Sequence, residues 1–212
     1  MFRYSLYISK CMDRRLAAIV AVCILEAGFR ILSGHVTVDG LAWTLLARIV
    51  ELALILVVAF RYCGVVTASI PRELALGLAA SFVFGGLVIV LDLVSRAFMD
   101  GGVLAMLLAR QSFNHWLLYF ATACMVGPFV EELFFRGLLY SWIRQGLPAW
   151  ACIALTSVLF ASMHGRISVV QLVGGVLFAV LYEWRRNIWP GFVLHASANF
   201  GLWVLPFVHP LM

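Results

Sequence analysis

The chain has 212 residues, of which 64% are hydrophobic and only 12% are charged, and its mean hydropathy is +1.04. Soluble domains carry about 25% charged residues, so this composition excludes an ordinary soluble protein and predicts an all-α, polytopic bundle of transmembrane helices. The net charge of +5 does not indicate nucleic-acid binding, because the basic residues are scattered over short loops and form no patch.

Apolar segments long enough to cross a bilayer recur along the whole chain, since a spanning helix needs about 20 mainly apolar residues. In order, the candidate spans are residues 15–33, 41–60, 74–95, 116–144, 150–165, 168–184 and 188–208. These segments predict seven spans, or eight if the fourth segment splits or if residues 97–115 dip into the membrane. The fourth segment is too long for one straight crossing, and its Gly127-Pro128 pair predicts a kink or a break.

The two halves of the chain differ in what they carry. Residues 1–115 hold the first three spans and no motif that we can match, whereas residues 116–212 hold every motif described below. We expect both parts to form a single bundle. The first apolar segment follows basic residues, as in a secretory signal, but no small-x-small cleavage site follows promptly, so we expect an uncleaved first helix.

The distribution of Lys and Arg over the short loops predicts the orientation, since these residues are enriched on the cytoplasmic side. If the N-terminus is cytoplasmic, the inner segments hold most of the basic residues (Arg3, Lys10, Arg14, Arg15, Arg61, Arg72, Arg144, Arg185 and Arg186), and the outer segments hold Arg96, Arg110 and Arg166. The sequence therefore predicts a cytoplasmic N-terminus.

Two sets of charged residues within the first two spans are spaced to neutralise each other. Glu26 and Arg30 are four residues apart, and Arg48 and Glu51 are three apart, so each set lies on one helix face. A charge at the centre of a spanning helix costs about 2.5–3.5 kcal/mol on insertion scales, and pairing offsets this cost. We expect both sets to lock helices together and to take no part in chemistry.

The fourth span carries a third set of charges, and one of its carboxylates has no partner on the same helix. Glu132 and Arg136 are four residues apart and can pair along one face. Glu131 lies about 100° round the helix and has no partner on its own helix. An unpaired carboxylate inside a membrane is a candidate general base, provided that another helix supplies a cation or a hydrogen-bond donor.

Two other spans offer such partners at a similar depth. His164 ends the fifth span, and His195 and Asn199 are four residues apart in the seventh, so these two share a helix face. At about 1.5 Å per residue, Glu131 and His164 lie ~20 Å from the inner ends of their spans, and His195 and Asn199 lie ~12–18 Å from theirs. We therefore expect the four side chains to form one site.

In order along the chain, these residues give three motifs: Glu131-Glu132-x3-Arg136, Phe160-x3-His164 and His195-x3-Asn199. The set resembles the motifs of the CPBP family (CAAX-processing and bacteriocin-processing proteins, also called Abi) of intramembrane endopeptidases. The resemblance covers about residues 116–208. It implies a glutamate-dependent intramembrane protease that activates a water molecule.

The resemblance also implies a role for each matched residue. Glu131 is expected to act as the general base, and His164 to share the water molecule with it. His195 and Asn199 are expected to steady the tetrahedral oxyanion. Among the supporting residues (Glu132, Arg136 and Phe160), the Glu132–Arg136 pair is expected to hold the shape of the site.

The substrate is expected to be a protein segment presented at or within the bilayer. Three classes fit this description: a C-terminal sorting or anchor signal, a prenylated C-terminus and a leader-type segment. The depth estimate favours cleavage on the outer face. We expect a bacterial inner-membrane enzyme whose partners are the lipid bilayer and a membrane-anchored protein substrate, with no nucleic acid.

Metal use and two other functions stay open at this point. The favoured interpretation needs no cofactor, but Glu131, His164 and His195 are also a plausible zinc-ligand set with an open position. A non-catalytic scaffold or bacteriocin-immunity-type binding protein would keep the same fold without needing Glu131 and His164 as a unit. A proton-coupled transporter would also use intramembrane Glu and His, but such transporters commonly show inverted repeats, and this sequence shows none.

Overall fold

In a computed structural model of the protein, the described residues are 2–59, 69–98, 115–164 and 169–208. These ranges contain seven helices and no β-strand: α1 (Phe2–Ser33), α2 (Gly40–Ala59), α3 (Ile70–Ser95), α4 (Trp116–Ile143), α5 (Ala149–Met163), α6 (Val169–Arg185) and α7 (Trp189–Val208). Each helix corresponds to one of the seven predicted segments, so the all-α fold is confirmed. The predicted span ends at residues 60, 165 and 168 lie outside the described residues.

The start of α1 and the continuity of α4 differ from the prediction. Helix α1 begins at Phe2, well before residue 15, because no proline or glycine interrupts its polar N-terminal part. Helix α4 is not broken at Gly127-Pro128. It runs without interruption from Trp116 to Ile143 and widens into π-helical turns over Phe120–Val126 and Leu133–Tyr140. The possible membrane dip was predicted for residues 97–115, of which 99–114 lie outside the described part of the chain.

Within the described ranges, four helical segments are long and apolar enough to cross a membrane by length and composition: Arg14–Ser33, Gly40–Val58, Ile70–Ser95 and Trp116–Ile143. Helix α5 is a shorter apolar helix. The distribution of side chains agrees with a lipid environment. Val57 and Phe82 are 86% and 80% exposed on the outside of the bundle, whereas Glu132 and Arg136 are fully buried, the reverse of the arrangement that water favours.

Glycines allow the closest helix contacts around the buried charges. A Cβ on Gly77 of α3 would lie 2.6 Å from the Cβ of Val193 on α7, and a Cβ on Gly175 of α6 would lie 3.0 Å from the Cα of Ser157 on α5. Small residues at such contacts let helix backbones approach, which is the main source of packing energy between membrane helices. These contacts pack α3 against α7 and α6 against α5.

Candidate active site

The first π-helical turn of α4 leaves a carbonyl that Asn199 uses. The Gly127 N–H donates to the Thr122 carbonyl five residues back, and in the same register the Ala123 carbonyl would face the nitrogen of Pro128, which has no hydrogen. The Nδ2 of Asn199 donates to the Ala123 oxygen at 2.7 Å instead. The Gly127-Pro128 pair thus changes the hydrogen bonding of α4 and ties α7 to it.

The predicted pair of Glu132 and Arg136 is confirmed at the centre of the bundle. Both side chains are fully buried, and Arg136 Nη1 lies 2.9 Å from Glu132 Oε1. Arg136 Nη2 also donates to the Gly175 carbonyl of α6 at 3.1 Å. The guanidinium carbon lies 4.9 Å from the ring centre of Phe160 and 5.3 Å from that of Phe178, so ring faces complete the surroundings of this cation.

The Glu132 carboxylate also connects α4 to the start of α7. Its Oε1 lies 3.5 Å from His195 Nδ1. Its Oε2 has no hydrogen-bond partner and lies beside Gly191, where an added Cβ would be only 2.8 Å away. Gly191 is in the first turn of α7, where unpaired backbone N–H groups and the helix dipole favour a negative charge. Glu132 thereby lies beside both His195 and the first turn of α7.

Glu131 meets a histidine from each of two other helices. Its Oε2 lies 4.0 Å from His164 Nε2 and 3.8 Å from His195 Nε2. These separations are longer than direct hydrogen bonds. The side chain of Glu131 is 17% exposed, so a water molecule has access to it. The structure therefore brings together three of the four predicted catalytic residues, and the fourth, Asn199, is bonded to the backbone of α4.

The hydrogen bond at His164 Nδ1 determines whether the other ring nitrogen, Nε2, faces Glu131 with a hydrogen or with a lone pair. His164 follows the last residue of α5, and its Nδ1 lies 2.8 Å from the Phe160 carbonyl oxygen. Because a carbonyl only accepts, Nδ1 carries the hydrogen, and Nε2 of the neutral ring is an acceptor. Phe160 also contacts this ring, with 4.7 Å between the ring centres. Two acceptors, Glu131 Oε2 and His164 Nε2, therefore face each other.

A cavity beside this pair is walled partly by α1 and α2. Glu131 and His164 line it together with Glu26, Arg48 and Glu51. Its volume of ≈ 80 Å³ has room for several water molecules. The prediction that the charges of α1 and α2 only lock helices missed this position. The sequence signal that could have found it was the presence of four charged residues in two adjacent spans.

The donor atoms of Glu131, His164 and His195 are of the kinds that zinc binds. Carboxylate and imidazole groups are common zinc ligands. Among the described residues, however, no three His, Cys, Asp or Glu side chains are grouped so that they could hold a metal ion. We therefore derive no step through a metal.

Residues 113–201 match the family model described as type II CAAX prenyl endopeptidase Rce1-like. This range contains all three motifs and begins after α3, so the match does not extend to α1–α3. No curated protein and no solved structure matches the chain. The match supports the resemblance to CAAX proteases and a general activity as an intramembrane endopeptidase.

Proposed function

We propose that the protein is an intramembrane endopeptidase that hydrolyses a peptide bond of a membrane-presented protein, with Glu131 and His164 activating the water. The observation that carries this proposal is the meeting of Glu131 Oε2 with the Nε2 atoms of His164 and His195 within 4.0 Å, from three separate helices. The family match over the same segment gives independent support.

The water molecule lies between two acceptors. One of its hydrogens points to the Glu131 carboxylate and the other to the lone pair of His164 Nε2. As the water oxygen attacks the substrate carbonyl carbon, one proton passes to Glu131 and the C=O electron pair moves onto the carbonyl oxygen. A positioned general base contributes about 10²–10⁴-fold to such a step.

Collapse of the tetrahedral intermediate breaks the peptide bond. The electron pair of the oxyanion re-forms the C=O bond, the C–N bond breaks, and the proton on Glu131 passes to the leaving nitrogen. Asn199 donates to the oxyanion, and His195 does so when both of its ring nitrogens carry a hydrogen, because Glu132 Oε1 beside Nδ1 only accepts. The amide of Asn199 has two hydrogens, of which Ala123 uses one, and an oxyanion donor contributes roughly 2.7–4 kcal/mol.

The position of the site supports a substrate that is presented by the membrane. The catalytic carboxylate is on the long apolar helix α4, so the substrate is a segment held at or within the bilayer: a sorting or anchor signal, a prenylated C-terminus or a leader. In this proposal the enzyme resides in a bacterial inner membrane with its N-terminus in the cytoplasm, and its partners are the bilayer and the anchored substrate.

The test compares the wild type with Glu131→Gln in membranes that contain a library of membrane-anchored proteins, with product termini read by mass spectrometry. Asp92→Asn is the matched control, because Asp92 is also a buried carboxylate within a helix, 2.9 Å from Arg96. We expect new termini with the wild type and with Asp92→Asn, and none with Glu131→Gln. The cleavage site names the substrate class and the membrane face.

Two further outcomes decide between mechanisms. Loss of cleavage in a chelator-treated sample, restored by added zinc, would overturn the metal-free mechanism. If the wild type and Glu131→Gln give the same termini while both insert and fold, Glu131 is not a catalytic base, and the non-catalytic binding function replaces the protease.

A further inference from the structure

Four charged side chains of α1 and α2 form one ionic cluster. Glu26 lies 2.9 Å from Arg30 and 3.4 Å from Arg48, and Arg48 lies 2.5 Å from Glu51. Glu51 is fully buried, and Glu26 is 8% exposed. With two carboxylates and two guanidinium groups, the cluster is balanced by itself if every group is ionised.

Three members of the cluster line the same cavity as the carboxylate of Glu131. These members are Glu26, Arg48 and Glu51. When Glu131 is ionised it adds a negative charge to this cavity, and among the described lining residues Arg48 is the cation that attracts it.

The cluster also makes a hydrogen bond to the end of α5. Arg30 Nη2 donates at 2.6 Å to the carbonyl of Met163, the residue directly before His164. The same ion-pair network therefore contacts the end of α5 and faces the carboxylate of α4. A movement of α1 would change the position of His164 as well as the distance of Arg48 from Glu131.

We propose that Arg48 is a positioning residue for Glu131. Its guanidinium group, clamped by Glu26 and Glu51, attracts the Glu131 carboxylate and keeps it directed toward His164 and His195. Coulomb attraction is strong where water is scarce, and a planar guanidinium bound on two sides is a rigid source of charge. The effect on cleavage rests on the proposed function, whereas the attraction between Arg48 and Glu131 does not.

A double-mutant cycle tests the attraction. The measured quantity is the midpoint of thermal unfolding in detergent. The cycle uses Arg48→Gln, Glu131→Gln and both together. We expect Glu131→Gln to raise the unfolding midpoint by about 2–4 °C more in the Arg48→Gln background than in the wild type, because the charge that it removes is then unbalanced. Additive midpoint changes would overturn the proposal.

Arg48→Gln alone leaves Glu51 buried without its partner and is at risk of not folding. The neutral double variant Arg48→Gln/Glu51→Gln removes both charges and serves as a second background for Glu131→Gln. The same excess shift of the midpoint is expected in this background. Its absence there, in a folded protein, overturns the proposal as well.

Cleavage assays separate positioning from a structural lock. We expect the Arg48/Glu51 double variant to lower kcat roughly 10–100-fold with KM changed by less than about twofold, and Arg48→Lys to recover part of kcat. The matched control is Arg185→Gln/Glu73→Gln, an ion pair of the same 2.5 Å length and similar exposure between α6 and α3, which is expected to keep kcat.

The outcomes distinguish the two proposals. Equal losses of kcat in the two double variants mean that Arg48 only stabilises the packing of the helices, which overturns the positioning role. If the thermal cycle shows the coupling while the wild type cleaves nothing, the proposed protease function fails and the attraction between Arg48 and Glu131 stands.

Discussion

Replacing Gly191 with alanine tests whether the buried Glu132 carboxylate is held tightly against α7. An added Cβ would lie 2.8 Å from Glu132 Oε2 and 3.5 Å from the carboxyl carbon. The end of a glutamate side chain is normally free to move away. This one is fully buried and is fixed through its other oxygen, 2.9 Å from Arg136 and 3.5 Å from His195, so the clash must move the pair or the helix.

The expected cost follows from two opposing effects. Alanine is a better helix former than glycine by about 0.8–1 kcal/mol. Overpacking of a well-packed interior costs typically ~1–3 kcal/mol. Gly201 isolates the second effect, because it lies on the same helix and an added Cβ there meets nothing within 4 Å. We expect Gly191→Ala to be less stable than Gly201→Ala by about 1–3 kcal/mol, a difference of roughly 2–12 °C in unfolding midpoint.

The assay is thermal unfolding of both variants and the wild type in the same detergent, with circular dichroism as the probe of unfolding. Cleavage is measured on the same samples below the lowest midpoint. Because a displaced Glu132 no longer holds His195, Gly191→Ala is expected to lose activity while Gly201→Ala keeps it. Equal midpoints and equal activities for the two variants would show that Glu132 moves freely, which would refute the description of this carboxylate as fixed.

Three further changes test the packing of α3, α4 and α7. Arg136→Gln leaves the buried Glu132 carboxylate without its cation, so we expect a loss of about 3–5 kcal/mol, visible as a lower unfolding midpoint or as failure to accumulate in membranes. Asn199→Ala leaves the Ala123 carbonyl without its donor and is expected to cost about 1–3 kcal/mol; an unchanged midpoint would count against this bond. Phe82→Ala, on the outward face of α3, is expected to change the unfolding free energy in detergent by less than about 0.5 kcal/mol; a larger loss would place Phe82 inside an interface.

Among the described residues, the order of the helices could be predicted from the sequence because apolar length alone determines it. Each of the seven predicted segments contains a helix, and the segments end where loops and charged residues begin. The hydrogen-bond register inside α4 could not be predicted in the same way. A Gly-Pro pair predicts that a helix loses a bond, but whether the chain breaks or widens depends on a partner for the freed carbonyl, here Asn199 from the distant helix α7.

The meeting of Glu131 with His164 and His195 was predictable because depth in a membrane is counted along each helix from a common boundary. The prediction needed only the rise per residue and the requirement that intramembrane polar groups find partners. The roles of the matched residues stay predictions until cleavage is measured. Finer geometry, such as the 2.8 Å contact of His164 Nδ1 with the Phe160 carbonyl, depends on where α5 ends.

The position of the α1–α2 cluster shows why local pairing is a poor guide to what a charge does. Each helix carries a local ion pair, Glu26 with Arg30 on α1 and Arg48 with Glu51 on α2. In the sequence alone, this local pairing already accounts for all four charges. Helix packing then adds the contact between Arg48 and Glu26 across helices and places Arg48 in the cavity of Glu131. Spacing along one helix defines which face a charge occupies, whereas the neighbour of that face is determined by the whole bundle. An ion pair in a spanning helix can therefore stabilise helix packing and also line a functional site. Only variants that remove both charges of the pair, and so keep the net charge unchanged, separate these two roles.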